Sequence, residues 1–181
     1  NRRTSLKERI RLLVDAMGEA TRMQNMGAYL TTLFEVDALF LNQDRHLNNI
    51  ALIRDKFGYK PCPIFDCGDS FLLDFALYSP EIESRAYLTK AQCLPFKSRF
   101  TQTVHTAQAL YGKQLEVNID RASIDMILDK YLCYYPKQFH FLLKERIETV
   151  LLEQQERMQK SIRSISRQGG FMRWDFQKRT G

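Results

Sequence analysis

Three polar residues that could act on a phosphate ester lie close together in the chain: Asp44, Asn49 and Asp66. A carboxylate and an amide oxygen side by side suit Mg²⁺, a hard cation that combines a few protein oxygens with the oxygens of a bound phosphate. A second carboxylate that does not hold the metal can orient an attacking hydroxyl group and accept its proton. These residue types therefore predict a site for phosphoryl transfer.

The spacing of the three residues agrees with the pattern of protein kinases. In that pattern the proton-accepting Asp lies about five residues before a metal-binding Asn, and a further Asp precedes an aromatic residue and a glycine. Here Asp44 lies five positions before Asn49, and Asp66 is followed by Cys67-Gly68. Asp and Asn in a loop are often only turn and capping residues, but Asp66 at the matching position favours the catalytic interpretation.

Two short apolar runs on either side of a glycine-containing turn predict a β-hairpin that brings Asn49 and Asp66 together. The runs cover residues 50–53 and 61–66. If the turn is Phe57-Gly58, residues whose numbers sum to 115 face each other, so that Asn49 lies opposite Asp66. Directly opposed residues of an antiparallel pair are about 5 Å apart, and Asp44 lies in the adjoining loop. This register predicts one shared site for all three residues.

The motif Asp44-Arg45-His46-x-x-Asn49, followed by a short strand and Pro63-Ile64-Phe65-Asp66, resembles the catalytic loop of the HipA-like serine/threonine kinases. Phosphoinositide lipid kinases carry a related Asp-Arg-His-x-x-Asn loop. The Pro-x-x-Asp ending and the helical remainder of the chain favour the HipA-like family. The clear match covers residues 42–68.

The resemblance implies a role for each matching residue. Asp44 would be the catalytic base and His46 would brace the loop, while Asn49 and Asp66 would hold Mg²⁺ and the phosphates of ATP. The reaction would transfer the gamma-phosphate to a serine or threonine of a protein substrate. Because HipA-like proteins often act beside a DNA-binding partner in bacterial toxin–antitoxin systems, such a partner is expected. The cysteine pattern predicts reduced thiols and hence a cytoplasmic location.

Two kinase elements are missing before the motif. No glycine-rich phosphate loop and no Val-Ala-Ile-Lys strand precedes Asp44, although kinases use both to hold ATP. We therefore expect an N-terminal lobe, absent from this chain, to act in cis or in trans. Two alternatives stay open: a non-catalytic, pseudokinase-like binding module, and a nucleic-acid-associated regulatory protein.

Hydrophobic periodicity predicts a mainly α fold around this site. The predicted helices cover residues 4–24, 28–41, 101–112, 121–134 and 137–167, with a break at Gly27 and a long loop with one short helix over 67–100. The helix over 28–41 is apolar on most faces, which is typical of a central helix. We expect a protein-kinase-like C-terminal lobe over residues 1–168, a helical bundle with a small β-hairpin carrying the metal site, and a basic tail over 169–181.

The composition indicates an ordinary globular protein with a basic surface. Hydrophobic residues make up 44%, charged residues 27%, and the net charge is +6, which suits a polyanionic ligand. The four cysteines lack zinc-finger spacing, so reduced thiols are expected. No apolar run is long enough to span a bilayer.

Several neighbouring residues are given structural roles. Arg45 is expected to contact phosphate or to pair with a nearby acid, and Asp69 is expected to be a solvated loop acid rather than a second metal ligand. The aromatic residues near the start of the last helix are expected in the core: Tyr131, Tyr134, Tyr135, Phe139 and Phe141.

Overall fold

The computed structural model describes the backbone of residues 4–168 and the side chains of residues 4–160. This part of the chain is mainly helical, as predicted. The helices are α1 (Leu6–Thr21), α2 (Met26–Phe40), α3 (Ser84–Leu88), α4 (Phe100–Tyr111), α5 (Arg121–Tyr131) and α6 (His140–Gln168). Short 3₁₀ helices cover Leu47–Asn49, Leu132–Tyr134 and Lys137–Phe139. Two antiparallel hairpins pair β1 (Leu52–Asp55) with β2 (Gly58–Pro61) and β3 (Gln92–Cys93) with β4 (Ser98–Arg99). The predicted basic tail, residues 169–181, lies outside the described residues.

Helix α1 begins at Leu6, two residues after the predicted start, because Ser5 and Glu8 form a capping box. The Ser5 hydroxyl accepts a hydrogen bond from the Glu8 amide at 3.2 Å, and the Glu8 carboxylate accepts one from the Ser5 amide at 2.8 Å. These two bonds satisfy backbone N–H groups that the helix itself cannot pair. The helix then turns Ile10 and Val14 into the core.

Helix α2 is the central element, as its apolar composition predicts. It packs against α1, α4 and α6. Its N-terminal half contributes Leu30 and Phe34 to one hydrophobic cluster with α1 and Phe96. Its C-terminal end contributes Ala38 and Leu39 to a second cluster with α3, α4, α5 and α6. The two clusters fix α2 along its whole length, and the loop that carries Asp44 starts from its C-terminal end.

The predicted helix break at Gly27 is wrong, because Gly27 lies inside α2. The break falls earlier, at Arg22, whose backbone is in the left-handed region with φ 61°. Gly27 has a packing role instead. A Cβ atom added to it would lie 2.7 Å from Cγ of Tyr111 on α4, closer than any side chain tolerates. The glycine thus lets α4 approach α2 closely.

The first hairpin is present, but its predicted register is wrong by two residues. The observed pairs are Leu52 with Pro61 and Asp55 with Gly58. The turn is therefore Lys56-Phe57. Its geometry comes from Asp55, whose carboxylate accepts a hydrogen bond from the Phe57 amide at 2.8 Å, and from Gly58 at φ 121°. The ladder ends before it reaches Asn49 and Asp66, so strand pairing does not join these two residues.

The segment predicted as a long loop with one short helix, residues 67–100, contains one such helix, α3, and in addition the β3–β4 hairpin. The two strands of this hairpin are only two residues long, which explains why no alternating pattern predicts them. None of the helices in residues 4–168 combines the length and the apolar character needed to cross a bilayer.

The aromatic residues expected in the core are on the surface instead. Phe141 is 84% exposed and Tyr134 is 79% exposed. Between α5 and α6 the chain runs through two 3₁₀ helices, so the 3.6-residue period that would place these rings on one inward face is interrupted. The apolar face of α6 consists instead of Leu143, Val150, Leu151 and Met158.

We predict that Gly27→Ala destabilises the protein by about 1–3 kcal/mol, the usual cost of overpacking a core site. The new methyl group must displace the Tyr111 ring. Urea denaturation followed by circular dichroism measures the loss.

The matched control is Gly18→Ala on α1, where the added Cβ would lie at an ordinary 3.6 Å from the Met23 carbonyl oxygen. Alanine is the better helix former, so this variant is expected to be at least as stable as the native chain. The double variant Gly27→Ala/Tyr111→Ala should lose less free energy of unfolding than the sum of the losses in the two single variants. Strict additivity would contradict a clash with Tyr111.

Candidate active site

A buried ion pair lies at the C-terminal end of α2, directly beneath the loop that carries Asp44. Asp37 and Arg45 are both 0% exposed, and the guanidinium donates two bonds to the carboxylate, each 2.9 Å long. The Asn42 side chain adds a third bond to Asp37, also at 2.9 Å. Burial holds the pKa of Asp37 above its ordinary value, against the opposing effect of Arg45 and Asn42. The expectation that Arg45 either contacts phosphate or pairs with an acid is thus resolved in favour of the pair.

The remaining donors of Arg45 connect two separate stretches of backbone. Nη1 donates to the carbonyl oxygens of Asn49 at 2.9 Å and of Phe65 at 2.7 Å. Nη2 lies 3.5 Å from the sulfur of Cys67. The Asn42 side chain also donates to the Asp66 carbonyl oxygen at 3.3 Å. The loop that ends at Asn49 and the segment around Asp66 therefore lie side by side, held by one guanidinium group rather than by strand pairing.

The loop from residue 44 to residue 49 is closed by its own hydrogen bonds. The Asp44 carbonyl oxygen accepts from the His46 amide at 2.8 Å and from the Asn49 side chain at 3.1 Å. The Asn49 amide donates to the His46 carbonyl oxygen at 2.9 Å. Because the side-chain NH₂ group of Asn49 donates to the Asp44 carbonyl oxygen, the side-chain oxygen of Asn49 is the atom that could bind another ligand.

The His46 side chain does not brace the loop as expected. The ring is half-exposed, and its Nε2 lies 3.9 Å from the carboxylate of Asp44, beyond hydrogen-bond distance. The bracing comes from the backbone of His46 and from the Arg45 side chain. Asp44 itself directs its carboxylate toward solvent, with 53% of the side chain exposed.

Asp66 and Asp69 make this end of the domain acidic. Asp66 is exposed and has a left-handed backbone with φ 54°. The carbonyl oxygen of Asp69 accepts a bond from the Gln43 amide at 3.2 Å. Burial raises the pKa of the Asp69 carboxyl, and the negative charges of Asp44 and Asp74 raise it further. Asp69 is partly buried, so it is not the fully solvated loop acid that the sequence suggests.

The loop that follows Asp66 is held in place by Arg146 of α6. This arginine is 0% exposed. Its guanidinium donates to the carbonyl oxygens of Tyr78 at 2.7 Å and Ser79 at 2.8 Å, and also to that of Leu72. It lies over the Phe75 ring at 5.1 Å from the centroid. A hydrogen bond from the Gln43 side chain to the Tyr78 hydroxyl also joins this loop to the loop that carries Asp44.

The structure thus brings the backbones of Asp44, Asn49 and Asp66 to one buried anchor. Among the side chains of residues 4–160, no group of three or more His, Cys, Asp and Glu residues is arranged to hold a metal ion.

Sequence reasoning missed Asp37 and Arg146, the two residues that hold the site together from α2 and α6. Each interrupts an otherwise apolar helix face, since Asp37 lies between Leu33 and Leu41, and Arg146 lies between Leu143 and Val150. A lone charge at a core position is the signal that could have identified them, because such a charge requires a buried partner.

No family model, curated protein or solved structure matches this chain.

We predict that Asp37→Asn lowers the free energy of unfolding by about 3–5 kcal/mol, because it leaves the Arg45 charge buried without its counter-charge. Chemical denaturation measures this loss. Asp55→Asn makes the same chemical change in the exposed pair with Lys60 and is expected to have little effect. Similar losses in the two variants would contradict the central role of the buried pair.

We predict that Asp69→Asn stabilises the protein at pH 7. The folded-state pKa of Asp69 is raised above its ordinary value of 3.8, so ionising the carboxyl costs more in the folded chain than in the unfolded chain. This penalty is fully present above the raised pKa and disappears as pH falls below the ordinary value. The advantage of the variant should therefore shrink on acidification, measured as the difference in thermal midpoint across that window. A variant less stable than the native chain at pH 7 would contradict this.

Proposed function

We propose that this chain is the catalytic lobe of a HipA-like serine/threonine kinase, which transfers the gamma-phosphate of ATP to a hydroxyl group of a protein substrate. The observation that carries the proposal is the attachment of Asn49 and of the segment from Phe65 to Cys67 to one buried arginine, Arg45. Phosphoryl transfer requires mainly positioning and charge neutralisation from a protein. A rigid anchor beneath both segments supplies the positioning.

The proposed metal ligands are the side-chain oxygen of Asn49 and the carboxylate of Asp66. The Asn49 side-chain amide is oriented by its bond to the Asp44 carbonyl oxygen. Asp66 is exposed and lies in the neighbouring segment, whose backbone is bonded to Asn42 and Arg45. When bound, Mg²⁺ would neutralise charge on the phosphate oxygens. An amide oxygen and a carboxylate are hard oxygen donors of the kind that Mg²⁺ binds together with phosphate oxygens. These residues therefore fit a magnesium site.

Asp44 is proposed to orient the substrate hydroxyl and to accept its proton. Its backbone is fixed by the bonds from His46 and Asn49, whereas its carboxylate faces solvent. That combination leaves the carboxylate accessible to a hydroxyl group while its position is held. His46 is proposed only as a backbone support for this loop.

The proposal includes partners that supply what this lobe lacks. An N-terminal lobe, in cis or in trans, would contribute the glycine-rich loop and the lysine that hold ATP. The loop that Arg146 holds follows Asp66 directly, and it is the surface proposed to meet the protein substrate. A DNA-binding partner protein is proposed on the HipA-like resemblance alone.

We predict that Asp44→Ala, Asn49→Ala and Asp66→Ala each abolish phosphate transfer in the protein that carries both lobes. Loss of a general base alone typically costs about 10²–10⁴ in rate. Transfer of labelled phosphate from ATP to protein measures the effect. Asp55→Ala, an identical change on the exposed hairpin, serves as the matched control and should transfer normally. Normal transfer by Asp66→Ala would rule out the proposed site.

Binding of ATP distinguishes a kinase from a pseudokinase-like module. Ligand at one hundred times its Kd stabilises the folded state by about 2.7 kcal/mol. In thermal melts, a rise in midpoint that requires ATP and Mg²⁺ together and is lost in Asp66→Ala supports the metal site. A rise without any phosphate transfer would support the binding module instead.

A further inference from the structure

A small cavity lies between the end of α3, the first turn of α4 and the middle of α6. Its volume is about 110 Å³, several times the space needed for one water molecule. Its polar lining consists of Thr89, Arg99, Thr101, Gln154 and Arg157. None of the residues proposed for phosphoryl transfer lines it, so it is a separate feature of the molecule.

The lining is positively charged. It contains two arginines and no acidic residue. Arg157 is half-buried, with Nη1 only 3.5 Å from the Leu88 carbonyl oxygen. The nearest acids along α6 are already paired outside the cavity, Glu153 with Arg85 and Glu156 with Lys160. The guanidinium groups of Arg99 and Arg157 are therefore suited to a shared anionic ligand.

The N-terminus of α4 adds further hydrogen-bond donors. This helix has 12 residues, and its N-cap residue, Arg99, makes no side-chain capping bond. The first N–H groups of a helix have no partner within the helix, and the helix dipole makes that end favourable for an anion. Phe100 and Thr101, the first two residues of α4, both line the cavity.

Gln154 provides the independent observation that points to a ligand. It is 2% exposed, and its Nε2 donates to the Ala38 carbonyl oxygen of α2 at 2.6 Å. This bond identifies the other arm of the amide as the oxygen, and Oε1 has no hydrogen-bond partner among the residues that the structure describes. A buried acceptor without a partner is costly. A fitting ligand must therefore bring a hydrogen-bond donor as well as negative charge.

We propose that this cavity binds a protonated phosphate group, as inorganic phosphate or as a small phosphate monoester. Such a group supplies oxygens for Arg99, Arg157 and the N–H groups of α4. Its O–H group donates directly to Oε1 of Gln154 and so supplies the hydrogen bond that this oxygen lacks. Sulfate has similar size and charge but carries no proton near neutral pH, so the site should discriminate against it.

The test is calorimetric titration and thermal melting with inorganic phosphate, glycerol 3-phosphate and sulfate, at constant ionic strength. We expect saturable binding of at least one phosphate probe and clearly weaker binding of sulfate. The tighter of the two phosphate probes identifies whether the site prefers the free anion or the monoester. Equal binding of phosphate and sulfate would overturn the proposal.

Three variants locate the effect. Arg157→Gln should weaken phosphate binding about tenfold, as expected for loss of a charge-assisted hydrogen bond. Arg85→Gln, on α3 but outside the cavity, is the matched control and should bind normally. Thr101→Glu places a carboxylate in the first turn of α4, where it favours the helix but repels an anion, so it should fold and fail to bind.

Equal losses of phosphate affinity in Arg85→Gln and Arg157→Gln would show that the overall charge of the protein, and not the cavity, determines binding. That result would overturn the proposal. Phosphate binding that survives in Thr101→Glu would do the same. Asp66→Ala should leave this binding unchanged, which separates the cavity from the proposed nucleotide site.

Discussion

The bidentate pair between Asp37 and Arg45 is the interaction on which the geometry around Asp44 and Asp66 depends. Two charges are removed from water here, at a cost of several kcal/mol for each, and their mutual attraction offsets this cost only when the remaining donors are also bonded. All three guanidinium nitrogens of Arg45 have partners. The pair therefore specifies a geometry more than it adds stability, since it lets one side chain hold two backbone segments that strand pairing does not join.

The rest of the site is held from the opposite side of the core. Arg146 reaches from α6 to carbonyl oxygens of the loop that follows Asp66, just as Arg45 reaches from the end of α2 to Asn49 and Phe65. In both cases a buried cation bonds irregular backbone whose carbonyl oxygens have no helix or sheet to bond them. The central packing of α2 against α6 thus determines how far apart the two anchored segments lie, and core stability and site geometry are coupled.

The elements with strong periodicity could be predicted from the sequence, and the details that depend on tertiary contacts could not. α1, α2 and the three C-terminal helices follow from apolar spacing and from caps such as Ser5. The hairpin register could not be predicted, because it depends on how the turn closes. The Asp55 side chain and Gly58 place the turn at Lys56-Phe57 and not at the predicted Phe57-Gly58, which shifts the strand pairing by two residues. The exposure of Phe141 depends on 3₁₀ geometry before α6. For the candidate site, the motif predicts Asp44, Asn49 and Asp66, whereas the buried residue Asp37, which pairs with Arg45 beneath them, lies outside the motif.

The β1–β2 hairpin is exposed along almost its entire length. Because Arg45 joins the two segments at its base, the distance between them does not depend on what lies at the tip. Lys56 and Phe57 therefore form a position where the chain can be lengthened, cut or given a fluorescent or affinity insertion without moving the residues below. Evolution has the same freedom, so related chains are expected to vary in the length of this hairpin while both of its ends stay constant.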